Sequence, residues 1–499
     1  MQAYSYSRLT TLALSLMYPT FTSVLHAGAT LALLLPLSGS QPATVSSTAL
    51  PVAPVQGAQP DPQVIAQFGL LDNAKLQSYI DQKGMQMGRI SDRPADVKGF
   101  TIVDSPIINA FATPDGHVYF TRGILAHFNN EAQFSGVLGH EIGHITARHG
   151  QKQQTRSTIA NGALILGSIL SKRVASIAQP ASQVVGLGLL KYGRDDENES
   201  DKLGVKYSSK IGYDPASMAD FFLTLARTEQ SSGAATVPTF LSSHPNSADR
   251  YQNVKKLAQQ AEQQAGRQLS VNRDQYLRLI EGLPYGDNPR EGYVESSVFY
   301  HPDLKFQFPV PQGWKSQNSP SQFQMAEPSG KAVIVLLPAG NKGLDETAQA
   351  LAQQLNLQNA QASRTTINGF PAVAIQGDQV GQDQQTGQQG ITARTLTYLI
   401  QDGQSVYAFV GLTSPSAFST YAPQFQRTAQ GYRRLTDAAK LNKQPERIRI
   451  KTAKAGQTLA QALAANGVPA KRHEELAIVN GMKTTDKLAA GQLFKVVGK

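Results

Sequence analysis

Two histidines four residues apart constrain this chain more than any other feature of its sequence. Residues 140–144 read His-Glu-Ile-Gly-His and lie in a segment with helical character. Side chains at positions i and i+4 share one face of a helix, so His140 and His144 can direct ring nitrogens at one metal ion. Glu141 can then reach the attacking water without being a ligand, which suits zinc-assisted hydrolysis of an amide bond. A buried, hydrogen-bonded histidine pair without a metal is the alternative.

The N-terminus has the character of an export signal. Arg8 precedes apolar runs at 9–17 and 27–37, and no further Lys or Arg occurs before Lys75. This pattern predicts a signal peptide in residues 1–40 and a Pro- and Ala-rich linker at 41–60, with an uncleaved N-terminal anchor as the alternative. The chain has no cysteine, so disulfides cannot stabilise it after export. We therefore expect a location in the bacterial periplasm, or a membrane-anchored protein that faces it.

The formal net charge of +10 is concentrated at the C-terminus. Residues 427–499 contain 15 Lys and Arg against 5 Asp and Glu. Such a segment favours contact with an anionic surface or polymer, although a solvated basic face without a partner is equally open. Nucleic acid is not expected as a partner, because the chain carries an export signal and no nucleic-acid-binding motif.

Changes in composition and periodicity predict three folded parts. The first, at 61–290, is mainly helical, with short β segments at 100–103 and 109–121 before the histidine pair. Within it, residues 158–190 are predicted to form a packed helical hairpin over the site, because their apolar stretch is too short to span a bilayer. Membrane proximity is the alternative for this segment. An α+β module at 295–436 and a small basic module at 445–499 follow.

A catalytic zinc ion usually has three protein ligands, so a third ligand is needed. His149 follows His144 by five residues, about 140° around a continuous helix, and is predicted to face away and to interact with the helix dipole. The acidic segment 194–201 offers better candidates. Glu197 and Asp201 share a helix face, so one can bind a metal while the other accepts the free ring N–H of a ligand histidine. A solvated, acid-rich helix start is the alternative reading of this segment.

Together the motifs His140-Glu141-x-x-His144 and Glu197-x-Glu199-Ser200-Asp201 resemble those of the M48 metallopeptidase family. The resemblance implies a zincin-like domain in which one zinc ion is bound by His140, His144 and Glu197. It also implies that Glu141 is the general base and that Asp201 orients a ligand histidine. Ser200 stands where the family usually has alanine.

The flanking sequence extends the resemblance and implies further roles. His244, in Ser243-His244-Pro245, would lie near the metal, where it either stabilises the oxyanion or gates the open position. Arg250 would pair with an acidic residue next to the ligands or with the oxyanion. Asn109, Ala110, Phe111 and Ala112 would form the strand to which an extended substrate adds. A residue that only starts a helix is the alternative for His244.

Two further resemblances concern the C-terminal half. The segments 455–459, 480–481 and 488–492 resemble a LysM domain, which implies a βααβ fold and peptidoglycan binding, although few aromatic residues are present. Residues 308–314, Phe-Pro-Val-Pro-Gln-Gly-Trp, resemble PsbP/Mog1-like α+β domains. No chemistry is inferred for that module.

The expected architecture is therefore α+β. It combines a zincin-like, mainly helical metallopeptidase domain containing a small edge-strand sheet with an α+β module and a LysM-like βααβ module. The predicted function is a zinc metalloendopeptidase of the cell envelope that cleaves misfolded or unassembled proteins. A periplasmic chaperone or assembly factor, or a peptidoglycan-associated binding protein, with a gated or idle protease site is the alternative.

Overall fold

The computed structural model describes residues 4–5, 59–153, 192–232, 240, 243–244, 248–382 and 389–499. Almost all of the predicted signal and linker at 1–60 lies outside these residues, and so does the helical hairpin predicted at 158–190. Among the residues that are described, no helix is both long enough and apolar enough to cross a membrane.

The first part of the described chain is mainly helical, as predicted. Its helices are α1 (Pro62–Phe68), α2 (Ala74–Ile90), α3 (Arg122–His127), α4 (Glu131–Thr146), α5 (Arg194–Lys210), α6 (Ala216–Ser232), α7 (Ala248–Ala265) and α8 (Arg273–Leu279). The strands up to this point are β1 (Tyr4–Ser5), β2 (Gly99–Val103), β3 (Ala110–Ala112), β4 (His117–Thr121) and β5 (Pro284–Tyr285). Short 3-10 helices here and beyond span Pro94–Asp96, Pro289–Glu291, Pro415–Ala417 and Ala470–Arg472.

A three-stranded sheet in the order β2-β4-β3 lies before the histidine pair. β4 is parallel to β2 and antiparallel to β3, so the β segment predicted at 109–121 is a hairpin with β3 at the sheet edge. Gly116 makes the hairpin turn possible. Its φ of 98° disfavours other residues, and a Cβ there would lie 1.9 Å from the Asp96 carbonyl oxygen.

The close packing of α4 against α5 brings the two predicted motifs together. Small residues line the contact: a Cβ on Gly139 would lie 2.9 Å from the Gly204 carbonyl oxygen, and one on Gly204 would lie 3.0 Å from the His140 nitrogen. Asn130 starts α4, since its side chain accepts a hydrogen bond from the Gln133 N–H. The helix backbones can therefore approach until the α4 histidines meet the α5 carboxylates.

The second part of the chain is an α+β module, as predicted. Its elements are β6 (Tyr293–Glu295), β7 (Val298–His301), β8 (Phe306–Pro309), β9 (Lys315–Ser319), β10 (Gln322–Ala326), β11 (Ala332–Gly340), α9 (Leu344–Gln354), β12 (Leu357–Ile367), β13 (Phe370–Gln382), β14 (Gln389–Asp402), β15 (Ser405–Thr413), α10 (Phe418–Gln430) and β16 (Arg433–Arg434). The large antiparallel sheet runs β12-β13-β14-β15-β11-β10-β9, and a smaller sheet runs β16-β8-β7-β6. Polar strands such as β9 and β12 lack the apolar alternation that marks a strand in sequence.

The last part has the strand–helix–helix–strand order predicted for residues 445–499. After the short helix α11 (Ala438–Leu441) come β17 (Glu446–Thr452), α12 (Leu459–Ala465), α13 (His473–Val479) and β18 (Leu493–Gly498). β17 pairs antiparallel with β18 and also with β5 of the first part. The predicted boundaries at 61–290, 295–436 and 445–499 stay predictions.

The C-terminal module shares one apolar core with the helical part. Ile448, Leu476 and Phe494 are buried in the same cluster as Phe134 of α4 and Phe221 of α6. A charged residue also crosses this contact, because the fully buried ammonium of Lys495 donates hydrogen bonds to the backbone oxygens of residues 126 and 128, at 2.9 and 3.0 Å. The module is thus packed against the segment that leads into α4.

Candidate metal centre

The two histidines of α4 converge at the buried face of the helix. His140 and His144 are no more than 1% exposed, and their Nε2 atoms lie 3.0 Å apart. Burial, reinforced by the neighbouring imidazoles, lowers the pKa of His144 well below its usual value. The neutral ring, which is the metal-binding form, is therefore favoured at neutral pH.

The structure separates the positions of the two carboxylates on α5. Glu197 faces the converging nitrogens, with its Oε2 atom 3.6 Å from His140 Nε2 and its Oε1 atom 3.7 Å from His144 Nε2. Asp201 instead lies behind His140, where its Oδ1 atom is 3.0 Å from the ring Nδ1. Glu197 is therefore placed as a third donor and Asp201 as the group that fixes the orientation of His140.

Arg250, from α7, binds both carboxylates. Its Nε and Nη2 atoms donate to Asp201 at 2.8 and 2.7 Å, and its Nη1 atom lies 2.8 Å from Glu197 Oε2. Burial opposes ionisation of Asp201, but the guanidinium outweighs it and lowers the pKa of this carboxyl to about 2. The sequence predicted that Arg250 pairs either with an acidic residue next to the ligands or with the oxyanion. The contacts in the structure are with acidic residues, Asp201 and Glu197.

His244 completes a group of four donors. Its Nδ1 atom lies 3.0 Å from Glu197 Oε1 and 3.3 Å from His140 Nε2. One donor atom from each of His140, His144, Glu197 and His244 can be chosen so that all lie within 4.8 Å of one another. Burial opposes protonation of His244, but the charges of Glu197 and Glu141 outweigh it and raise the pKa of this ring.

Glu141 lies on the far side of His244 from Glu197. Its Oε1 atom is 3.6 Å from His244 Nε2, and no side chain of the described residues donates a hydrogen bond to either carboxylate oxygen. Burial raises the pKa of this carboxyl above its usual value, although the charges of His244 and His140 and a hydrogen bond from the Ala112 backbone act in the opposite direction. A buried carboxyl without a side-chain donor is unusual, and such groups concentrate at functional sites.

His149 does not face away from the site, so that prediction was wrong. Its Nδ1 atom lies 3.0 Å from His144 Nδ1, and its ring is buried. The angle of about 140° assumed a continuous helix. In the structure α4 ends at Thr146 and Arg148 has a φ of 60°, so the chain changes direction and returns His149 to the site.

Tyr192 is a site residue that the sequence analysis missed. Its ring stacks on His144, with centroids 3.8 Å apart and planes at 22°, and its centroid lies 5.6 Å from that of His244. Its backbone N–H donates to the Ser243 carbonyl oxygen at 3.3 Å. The one available signal was an aromatic residue shortly before the acidic helix.

The predicted substrate strand lies beside the same site. Asn109, Ala110, Phe111 and Ala112 are 1%, 0%, 6% and 9% exposed, so their side chains pack inward from the edge strand. A pocket of about 170 Å³ opens next to Ala112 and is also lined by Tyr192, His144, the 113–115 turn and the end of α4. The pocket borders both the donor group and the edge strand.

Comparison with known proteins finds relatives that cover a little over a third of the chain. The "Beta-barrel assembly-enhancing protease" of Escherichia coli (strain K12) is 28% identical over 199 residues, which cover 38% of this chain and 40% of that protein. The "Mitochondrial metalloendopeptidase OMA1" of Arabidopsis thaliana is 28% identical over 189 residues, covering 36% of this chain and 37% of that protein. The chain thus spans about two fifths of the length of the curated relatives that it matches.

Among solved structures, cyanobacterial PsbP (CyanoP) from Synechocystis sp. PCC 6803 matches 28% of this chain and 94% of its own, with 12% identity and a TM-score of 0.23. The Saccharomyces cerevisiae Ran-binding protein Mog1p matches 30% of this chain and 99% of its own, with 9% identity and a TM-score of 0.22.

The part of the chain that carries the candidate metal centre matches a protein family. Residues 73–258 match the family described as Peptidase family M48, and they span α4, α5 and His244. Over these residues the chain is similar to peptidase family M48.

Proposed function

We propose that this protein is a zinc-dependent metalloendopeptidase. The observation that carries the proposal is the arrangement of Glu141, a buried carboxyl to which no side chain of the described residues donates a hydrogen bond, beside a compact group of His and Glu donors. The match of residues 73–258 to peptidase family M48 supports it independently.

The donor group fits zinc. Imidazole nitrogens and a carboxylate oxygen are ligands that zinc prefers, and three protein ligands with one open position are typical of catalytic sites. His140, His144 and Glu197 would hold the ion. When bound, zinc would supply Lewis acidity, which activates water and polarises the scissile carbonyl.

Glu141 supplies the proton transfer in this proposal. It accepts a proton from the attacking water and delivers it to the leaving amine, so one carboxyl acts first as base and then as acid. Its raised pKa suits both roles, because it makes the carboxylate a stronger base toward water and lets the protonated carboxyl persist at higher pH, where it can act as the acid. Asp201 and Arg250 act behind the site, where they hold His140 and Glu197 in place.

His244 is proposed to gate the site. Its Nδ1 atom lies 3.0 Å from Glu197 Oε1, closer than the 3.6 and 3.7 Å that separate Glu197 from the Nε2 atoms of His140 and His144. His244 can therefore occupy the open metal position that a substrate needs. Turnover then requires His244 to move away. The neighbouring residues 245–247 lie outside the described part of the chain.

The proposed substrates are unfolded or misfolded polypeptides of the cell envelope. An extended chain could pair with the edge strand β3 and place a side chain in the adjoining pocket. The export-like N-terminus supports the periplasm as the location, and the name of the Escherichia coli relative places that protein in β-barrel assembly. Peptidoglycan contact through the LysM-like, basic 445–499 module and membrane proximity belong to the same proposal.

Zinc removal and restoration test the proposal. The purified protein should contain one zinc ion per chain and should cleave casein. A chelator should abolish the cleavage, and stoichiometric zinc should restore it. Cleavage that persists at full rate in metal-free protein would contradict the assignment.

A chaperone or assembly factor with a closed site is the second candidate, and the position of His244 within the donor group favours it. It predicts that the zinc-loaded protein suppresses aggregation of an unfolded protein without cleaving it. The glycan-binding part is tested separately, by retention of the full chain on peptidoglycan at moderate salt. Because Lys451 and Lys454 are exposed on the 445–499 module, Lys451→Glu with Lys454→Glu should reduce retention if charge carries the contact.

A further inference from the structure

His149 lies between the metal-binding histidines and the outer edge of α5. Its Nδ1 atom is 3.0 Å from Nδ1 of His144, and its Nε2 atom is 3.2 Å from Glu199 Oε2. The ring is buried, whereas the Glu199 side chain is 55% exposed. A line of hydrogen-bonding groups therefore runs from the donor group to the protein surface.

The placement of His149 is built into the backbone. α4 ends at Thr146, and Arg148 adopts a left-handed conformation with a φ of 60°. The Nη2 atom of Arg148 lies 3.0 Å from Asp96 Oδ2, which anchors the reversed segment to another part of the domain. A left-handed arginine is disfavoured, so the surrounding contacts must hold it in that conformation.

The proton positions along this line follow from the groups at its two ends. Nε2 of His144 faces Glu197 and Nε2 of His140, so Nδ1 must carry the proton when Nε2 is a ligand. His149 must then accept that proton at Nδ1, which leaves its own proton on Nε2. That N–H lies 3.2 Å from Glu199 Oε2 and 3.5 Å from Asp196 Oδ1, and an ionised carboxylate is an acceptor only. One tautomer of each ring satisfies every contact.

We propose that His149 and Glu199 are positioning residues that fix the ring orientation and tautomer of His144. Resting on the proposed zinc-peptidase function, this assigns His144 a support that parallels the one Asp201 gives His140. Asp201 contacts His140 directly, whereas Glu199 acts on His144 through the imidazole of His149. The acidic helix α5 thus holds both histidines, using Asp201 for one and Glu199 for the other.

Zinc affinity is the appropriate readout, because loss of a group that orients a ligand histidine typically weakens binding by about 10- to 100-fold. In full-length protein, His149→Phe keeps a ring of similar size but removes the acceptor for His144. We expect its zinc dissociation constant, measured by competition with a chromophoric chelator, to rise about 10-fold or more. His149→Gln retains an acceptor oxygen and should recover part of the loss.

Glu199→Gln removes the charge at the outer end, and we expect a rise of only a few-fold because Glu199 is half exposed. Asp195→Asn is the matched control. It removes the same charge from the first turn of α5, where Asp195 is exposed and has no contact with His149 in the described residues. Its zinc affinity should match that of the wild type.

A double-mutant cycle separates positioning from general stability. If Glu199 acts through His149, adding Glu199→Gln to His149→Phe should cause no further loss of affinity. Wild-type affinity in His149→Phe, or additive losses in the double variant, would overturn the proposal. If His149→Phe does not fold, the zinc affinity of His149→Gln is compared with that of Glu199→Gln instead. Because His149→Gln retains an acceptor oxygen, a zinc affinity below that of Glu199→Gln would contradict the role of His149 as an acceptor.

The series also distinguishes the failure of this proposal from the failure of the proposed function. A wild-type protein that binds zinc but cleaves nothing overturns the peptidase assignment, while the order of zinc affinities still supports or overturns the role of His149. A protein that cleaves normally with His149→Phe and holds zinc as tightly as before overturns this proposal alone.

Discussion

Replacing Arg250 with methionine removes the positive charge between two buried carboxylates. The Arg250 side chain is 2% exposed, and its nitrogens contact Asp201 at 2.7 and 2.8 Å and Glu197 at 2.8 Å. Methionine fills much of the volume but has no donor to offer. Both carboxylates then stay buried and lose a strong ion pair each.

The cost should be large. Removing one partner of a buried ion pair destabilises a protein by about 3–5 kcal/mol, because the remaining charge is uncompensated. The pKa of Asp201 gives a second figure, since its fall from 3.8 to about 2 corresponds to about 2–3 kcal/mol of stability near neutral pH. We therefore expect Arg250→Met to lower the free energy of unfolding of metal-free protein by about 3 kcal/mol.

The pH dependence follows from the sign of the same shift. A carboxyl whose pKa is lowered by folding stabilises the protein above its unfolded pKa, and this contribution is lost as the pH falls through the folded pKa. For Asp201 the loss in the wild type should occur between about pH 4 and pH 2. In Arg250→Met this part of the pH dependence should disappear, because the guanidinium that causes the shift is gone.

The assay is urea unfolding of chelator-treated protein, followed by circular dichroism. The single tryptophan, Trp314, is a poor reporter because it lies in the second module, outside the domain that carries the site. Arg364→Met is the matched control, since this arginine pairs with Asp345 on the surface, with side chains 78% and 61% exposed. Exposed pairs contribute about 1 kcal/mol or less. Equal effects of the two substitutions on the free energy of unfolding, or a loss below about 1 kcal/mol for Arg250→Met, would contradict a large contribution from the buried ion pairs of Arg250.

Three further outcomes are expected. His244→Ala should raise the rate of casein cleavage several-fold if His244 gates the site, and an unchanged or lower rate in zinc-loaded protein would contradict gating. Burial holds the pKa of Lys495 well below 10.5 in the folded protein. Between the folded pKa and 10.5 the unfolded state therefore binds more protons, and the free energy of unfolding should rise with pH. Lys495→Met should flatten this rise when urea unfolding is measured at a series of pH values. Zinc should raise the thermal unfolding midpoint of wild-type protein, since it binds the folded state, and a midpoint that is independent of zinc would argue against a site inside the core.

The structure brings His140, His144 and Glu197 together as the sequence predicted, because short-range geometry determines much of this arrangement. The i, i+4 spacing of His140 and His144, and that of Glu197 and Asp201, required only that two helices form. Which carboxylate faced the histidine nitrogens could not be read from spacing alone. That depends on the close contact at Gly139 and Gly204, which sets how α5 lies against α4.

The position of His149 could not be predicted from helix spacing. Its direction was judged from a continuous helix, but one left-handed residue, Arg148, redirects the chain. Nothing in the sequence marks this residue, because glycine rather than arginine is the usual signal for a left-handed helix end. Tyr192 was missed for a related reason, since stacking between residues 48 positions apart has no local signature.

The C-terminal module shows the same limit at a larger scale. Its strand–helix–helix–strand order was expected from the resemblance to a LysM domain, but its contact with the helical part was not predicted. Lys495 would ordinarily be placed on a surface, whereas it is buried against the backbone before α4. The partners of a buried lysine are decided by tertiary packing, which composition and periodicity do not describe.

The decisive substitution for the proposed zinc-peptidase chemistry is Glu141→Gln. The substitution preserves the size of the side chain and removes only its ability to carry the proton, so the His and Glu donors are left intact. The variant should bind one zinc ion per chain and cleave casein at a rate lowered by at least about 100-fold, in line with the contribution of general acid–base catalysis. Zinc-loaded Glu141→Gln that cleaves casein at the wild-type rate would contradict this chemistry.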